Sequence, residues 1–312
     1  MTSISPANDI VGGQPLPDTE RRLADSRELD TMPTLELLQL MNREDARAIE
    51  IVAQVLPLVA ELVEVAADRL ARGGSIHYFG AGTSGRLGVL DAAELLPTFN
   101  LALGIVEAHI AGGNSAMFTS VEGSEDSDSD GRRDASGLGE NDVAIGLTVA
   151  GAAPYVGGAL EEARARGAHT ALVTSNAASP LADLADNFIA VPTGAEVLTG
   201  STRLKAGTAE KVILNGFSTA LMVRSGRTWS NLMVSVVASN AKLRRRTLLI
   251  LAEATGASAE ECEVMLREAS GDLKVAIVAA LADTSVEAAR DALSSSSGNV
   301  RTALATIDGR QA

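Results

Sequence analysis

A single cysteine, Cys262, stands in 312 residues, which excludes an intrachain disulfide framework and any metal site built on several thiolates. Histidine is nearly as scarce: His77, His109 and His169 lie in or beside apolar stretches, where packing is the ordinary role, and no metal site is expected. Aromatic residues make up 3% of a chain that is 46% hydrophobic. A core here has to be assembled from Ala, Val, Leu and Ile, the composition of a helix-covered parallel sheet. Net positive charge is missing as well. At −14 the chain is a poor partner for nucleic acid or an anionic membrane, so an anionic ligand has to be caught by local groups. No apolar run reaches the roughly 18 residues of a membrane span, and charges are scattered where a signal peptide would need an apolar core. The expected location is the cytoplasm.

What is present alternates in period. Residues 1–32, with "ISPANDIVGGQPLPD", are rich in Pro, Gly and polar residues and read as an N-terminal arm without a core of its own. From Pro33 to Gly74 apolar residues recur at helical spacing, predicting one or two long helices. Five short apolar runs follow, "SIHYFG", "LGIVEAHIAGG", "NDVAIGLTVAG", "HTALVTSN" and "NFIAVPTG", separated by helical stretches such as "PYVGGALEEARARG". Strands alternating with helices predict an α/β fold with a doubly wound parallel sheet over residues 33–240, its ligands beyond the C-terminal strand ends. Residues 241–312 change to short helical periods broken by Gly256, Gly271 and "SSSSG", a small helical subdomain.

The sharpest motif is "HYFGAGTSGRLG", His77 to Gly88. Its Gly80, Gly82 and Gly85 fit the spacing of a dinucleotide loop, which also requires an acid at the end of the next strand to hold ribose hydroxyls. That strand ends in Ala111, Gly112 and Gly113, with Glu107 inside it, so the clamp is missing. Thr83 and Ser84 instead place hydroxyls beside the backbone amides of Gly82 to Gly85 at a helix N-terminus, where a compact phosphate dianion is favoured. A structural tight turn is the plain alternative.

Two carboxylates follow elements that emerge near one sheet edge: Glu94 in "LDAAELLPTF" and Glu125 in "SVEGSEDSDSDG". Either they converge on one ligand or they are solvated acids. "DSDSDG" matches the start of a calcium loop, but Gly137 occupies the position of the required bidentate Glu, which leaves a polar surface loop and no metal. In "GAEVLTGSTRLKAGTAEKVILN" a Gly- and Thr-rich turn leads into a helix whose first turns carry Ser201, Thr202, Arg203 and Lys205, either a capped helix with ordinary surface charges or hydroxyls and cations pointed at a ligand, with Glu196 just before it a candidate third acid.

These blocks, "HYFGAGTSGRLGVLDAAELLPTF", "VEGSED", "GAEVLTGSTRLKAGTAEKVILN" and "NLMV", resemble in order and spacing the N-acetylmuramic acid 6-phosphate etherases, proteins of the sugar isomerase (SIS) type. The resemblance runs from about Thr34 into the C-terminal helical region. It implies cleavage of the D-lactyl ether of N-acetylmuramic acid 6-phosphate by elimination then hydration, without cofactor or metal. It places Glu94 on the family's proton donor and Glu125 on its second catalytic acid, and implies a homodimer whose sites are completed across the subunit boundary. Where the family has a Ser-Gly-Arg-Thr-Pro turn, this chain has Ala150, Gly151, Ala152, Ala153 and Pro154, and Ser235 replaces a usual Asp. Losing two hydroxyls that bond a phosphate would cost about 3 to 6 kcal/mol of binding; the amides from Gly151 onward persist. The resemblance leaves two other functions open: a regulator of the glucokinase regulatory protein kind that binds sugar phosphates without turnover, and a hexose-phosphate isomerase.

Overall fold

The computed structural model describes residues 10–11, 14–15, 17–236 and 241–309. The chain forms two compact units, one from Met1–Ala92 and Ile105–Phe217, the other from Ala93–Gly104 and Ser218–Ala312.

The first unit is built on five parallel strands: β1 (Ile76–Gly80), β2 (Val106–Ile110), β3 (Val143–Leu147), β4 (His169–Thr174) and β5 (Asn187–Ala190). Each falls in one of the five apolar runs. Their order across the sheet is β2-β1-β3-β4-β5, so the fold is the α/β, doubly wound parallel sheet that the alternation of periods predicts. Every residue of β3 is buried, as a central strand covered on both faces requires. Helices α1 (Thr34–Ala71), α2 (Gly82–Phe99), α3 (Asp128–Ala135), α4 (Pro154–Ala165) and α5 (Lys205–Arg224) accompany the strands. α2 and α5 begin in this unit and end in the second.

The N-terminal pattern is one 38-residue helix, α1, continuous through Pro57. Its buried stripe, Leu40, Glu44, Ala48, Val52, Val55, Val59 and Leu62, keeps the three-four spacing of an amphipathic helix. Ahead of it, residues 17–32 form short 3-10 turns whose buried side chains are two hydroxyls, Thr19 and Ser26. The beginning of the arm lies outside the described residues.

α3 was not foreseen, because "DSDGRRDA" has no apolar stripe and reads as a polar loop. Ser127 caps it by accepting from Asp130 N–H, and Arg132 holds Asp128 one turn back at 2.8 Å. Contact with α4 does the rest. A Cβ on Gly131 would lie 1.9 Å from the Tyr155 carbonyl oxygen, and one on Gly158 would lie 2.2 Å from that of Asp128. The backbones therefore meet where only glycine fits.

The second unit holds a short antiparallel pair, Thr228–Trp229 with Leu232–Met233, and helices α6 (Ala241–Thr255), α7 (Ala259–Glu268), α8 (Leu273–Leu281), α9 (Val286–Ser295) and α10 (Val300–Ile307). Ser258, Asp272, Ser285 and Asn299 cap α7 to α10 with side-chain oxygens, and Ser258 with Glu261 completes a reciprocal capping box. Leu251, Cys262, Ile277, Val278 and Val300 form its core. Cys262 is fully buried, and burial raises its thiol pKa, which makes it a packing residue. No described helix is long and apolar enough to cross a membrane.

Candidate functional site

In the order β2-β1-β3-β4-β5 the chain leaves β1 toward one sheet edge and β3 toward the other. The crevice beyond the C-terminal ends of β1 and β3 is the switch point where such sheets take ligands. The glycine loop, Ala81–Gly85, opens from β1 directly into α2. Gly82 has φ +54°, a conformation glycine adopts without strain. Gly85 is required by space: a Cβ there would sit 2.6 Å from the Gly80 oxygen and 2.7 Å from Ile110 Cγ1. The first amides of α2, at Gly82, Thr83 and Ser84, precede any intrahelical acceptor. Thr83 is half-buried; Ser84 is buried.

The loop after β3 carries Ala150, Gly151, Ala152 and Ala153. It keeps its shape without the hydroxyls that the family resemblance would supply. Gly151, at φ +75°, donates its N–H to the Thr148 carbonyl and to Thr148 Oγ1, both at 3.2 Å. From the turn after β4, Ser179 Oγ donates to the Gly151 carbonyl, and Asn176 Nδ2 donates to that of Ala150 at 2.9 Å. Ala153 is the N-cap of α4, with Pro154 at the first helical position and no side-chain cap. Gly151 itself is buried; Ala152 is exposed.

Around the start of α5 the side chains divide. Ser201 and Thr202 are half-buried in the turn before the helix. Glu196 is wholly buried and accepts from the Lys205 and Ala206 backbone amides at 3.2 and 3.0 Å, which makes it the cap of α5. Burial raises its pKa against these hydrogen bonds. The Lys205 ammonium is buried as well and turned to α1, where Nζ meets Glu44 Oε2 at 2.6 Å, with Arg47 on the other Glu44 oxygen. Sequence reading placed Glu196 and Lys205 among ligand-facing groups; the structure shows both engaged within the protein.

Glu94 is exposed on α2, and Glu125 is exposed in the 3-10 turn Ser124–Asp126. Within α2, Glu94 lies twelve residues beyond Gly82, roughly 18 Å along the axis. The acids of "DSDSDG" that open α3 are spent on arginines, Asp128 on Arg132 and Asp130 on Arg133.

One buried acid escaped the sequence reading. Glu210 on α5 is 4% exposed and accepts from Ser84 Oγ at 2.9 Å, while burial lifts its pKa to about 7. The signal was there: Ala206, Ala209, Glu210, Ile213, Leu214 and Phe217 form one buried stripe, and a carboxyl inside it is out of place.

The histidines resolve into a hydrogen-bonded chain. His77 and His109, on β1 and β2, approach at 3.0 Å between Nδ1 and Nε2, with Glu107 Oε2 3.8 Å from His77 Nδ1. Ser75 Oγ donates to Asp142 at 2.7 Å, so it accepts from His77 Nε2 at 2.8 Å. A neutral His77 then has only its Nδ1 lone pair left, and that accepts from His109 Nε2. Burial lowers both pKa values, consistent with two neutral rings. Both ring nitrogens of His77 are thereby engaged within the protein.

Residues 57–164 match the family model described as the glucokinase regulatory protein N-terminal SIS domain, which makes the parallel-sheet unit a sugar isomerase-type domain. The full-length relatives narrow the class. The N-acetylmuramic acid 6-phosphate etherase of Thermobifida fusca is 55% identical over 263 residues, 84% of this chain and 86% of that protein. Its counterpart in Streptomyces avermitilis is 48% identical over 98% of this chain and 99% of that protein. That of Pectobacterium atrosepticum is 46% identical over 92% and 95%. The chain belongs to the N-acetylmuramic acid 6-phosphate etherase family.

Proposed function

We propose that the protein is a carbon–oxygen lyase that converts N-acetylmuramic acid 6-phosphate to N-acetylglucosamine 6-phosphate and D-lactate. The observation that carries this is identity of 46% or more to etherases across nearly the whole chain. The match to the regulatory-protein domain stops at residue 164, and neither it nor an isomerase reading accounts for likeness that continues through the C-terminal helices.

In this reading the phosphate lies at the switch point, against the amides at Gly82 to Gly85 and Gly151 to Ala153, with Thr83, Ser84, Ser201 and Thr202 supplying hydroxyls. Glu196 and Lys205 contribute by fixing the turn that presents Ser201 and Thr202. A carboxylate removes the C2 proton of the open-chain sugar, electrons move into a C2–C3 double bond, and the C3–O bond breaks as a carboxylic acid protonates the departing lactate oxygen. Water then adds at C3 and C2 regains a proton. Glu94 is the proton donor and Glu125 the second acid. Since Glu94 sits roughly 18 Å along α2 from the loop, well beyond an open-chain hexose, a second copy's Glu94 completes the site. The protein is thus a homodimer, and its phosphorylated substrate places it in the cytoplasm.

D-lactate release from N-acetylmuramic acid 6-phosphate by the purified protein tests the reading. Wild type should release it, and Glu94→Gln and Glu125→Gln should lose at least about a hundredfold in rate while remaining folded. No lactate from wild type at millimolar substrate would overturn the assignment.

A further inference from the structure

Ser84, the third residue of α2, is the buried hydroxyl of the Ala81–Gly85 loop, and Glu210 Oε2 is its partner at 2.9 Å. The other oxygen of that carboxyl, Oε1, is buried without a hydrogen-bond partner among the described residues. Glu210 also lines a cavity of about 10 Å³, whose walls are otherwise apolar apart from Thr174 and Ser175 at the end of β4. No charge faces the carboxyl there. On α5 itself, Lys205 is committed to Glu44 and Lys211 is exposed. On α2, Arg86 reaches the carbonyls of Met117 and Thr119, and Asp91 bonds Tyr78 and Asn215. The ends of β3, β4 and β5 bring no ionisable side chain to this cavity.

A hydroxyl facing a carboxyl shares one hydrogen bond with it, and the proton's direction decides what the hydroxyl shows elsewhere. When Glu210 is ionised, Ser84 must donate to it, and only oxygen lone pairs remain for the loop. When Glu210 carries a proton on Oε2, it donates to Ser84, and the serine O–H is free to donate to an acceptor held at the start of α2. A phosphate dianion accepts hydrogen bonds only from donors. We propose that Glu210 is a positioning residue that takes up a proton as the sugar phosphate binds, turning Ser84 into a donor to the phosphate.

The inference rests on the phosphate reading of the loop and extends it to a group outside the loop. Burial holds the Glu210 carboxyl near pH 7, so the proton is exchangeable under ordinary conditions. A dianion close by favours the protonated form further. Affinity should therefore fall about tenfold per pH unit above 7, until the carboxyl of the complex itself ionises.

The test is calorimetric titration of the product, N-acetylglucosamine 6-phosphate, into wild-type protein at pH 8 in two buffers of different ionisation heat. The ligand's own phosphate, with a second pKa of about 6, is then already a dianion. Wild type should take up close to one proton per site. Glu210→Gln, whose amide can donate to Ser84 at any pH, should take up none, show a flat pH profile and so bind about tenfold more tightly than wild type at pH 8. Glu210→Ala should take up none and bind several-fold more weakly. Binding by wild type with no proton uptake, or equal uptake by Glu210→Gln, overturns the inference alone. Should the glutamine variant not fold, infrared difference spectra of wild type at pH 8 decide: the C=O band of a protonated carboxyl must appear on binding, and its absence overturns the proposal. Failure of wild type to bind millimolar product overturns the phosphate reading and this inference together, and is seen before any proton is counted.

Discussion

At the scale of single residues, Glu210 has a consequence for stability that requires no ligand. Its pKa is raised on folding from about 4.5 to about 7, so between those values the native state holds a proton that the unfolded state has released. Stability must then fall as pH rises through this window, the reverse of the usual carboxylate. Above pH 7 the penalty levels at about 3 kcal/mol. Glu210→Gln should match wild type in urea melts near pH 4.5 and exceed it by up to that amount at pH 8. The glycine loop between β1 and α2 was legible from spacing, because Gly82 adopts a positive φ and a Cβ on Gly85 would meet the Gly80 carbonyl. The fates of Glu196 and Lys205 were not, since their partners, the amides at the start of α5 and Glu44 on α1, are set by the tertiary fold.

At the scale of elements, two contacts carry predictions. Where α3 and α4 meet, Gly158→Ala should cost about 1 to 3 kcal/mol, because the added carbon has no space against the Asp128 carbonyl. Gly137→Ala, with nothing within 4 Å of the new carbon, is the control and should be neutral in the same urea melts. Between α1 and α5, the Glu44–Lys205 pair is buried on both sides. Removing one partner with Glu44→Ala should destabilise by about 3 to 5 kcal/mol, whereas Glu44→Leu with Lys205→Met should recover most of it. A result in which the single and double variants melt alike would show that the pair's charges are already satisfied by solvent. The strands were readable as short apolar runs and α1 as a sustained three-four period. α3 was hidden because its stability comes from ion pairs, a cap and a glycine contact, none of which has an apolar period.

At the scale of the whole molecule, α1 keeps large apolar side chains in solvent: Leu35, Leu38, Ile49 and Leu56 are exposed, and Ile49 and Leu56 lie two helical turns apart on one face. A dimer of the kind proposed would cover such a face. Light scattering coupled to size exclusion should give twice the chain mass, and Ile49→Glu should yield a folded monomer that no longer releases lactate. A fully active monomer would refute the shared site.

The sequence by itself determined the fold class, the loop and the family, because alternating apolar periods, a glycine spacing and long blocks of similar residues are all local properties of the chain. Tertiary structure alone decided which polar groups face each other. It turned Lys205 and Glu196 inward, set Glu210 behind Ser84, and held the Ala150–Ala153 loop from Asn176 and Ser179. The physical reason is that a buried polar group must find a partner, and for these residues the partners lie on other elements, where only the packed fold brings them within hydrogen-bond distance.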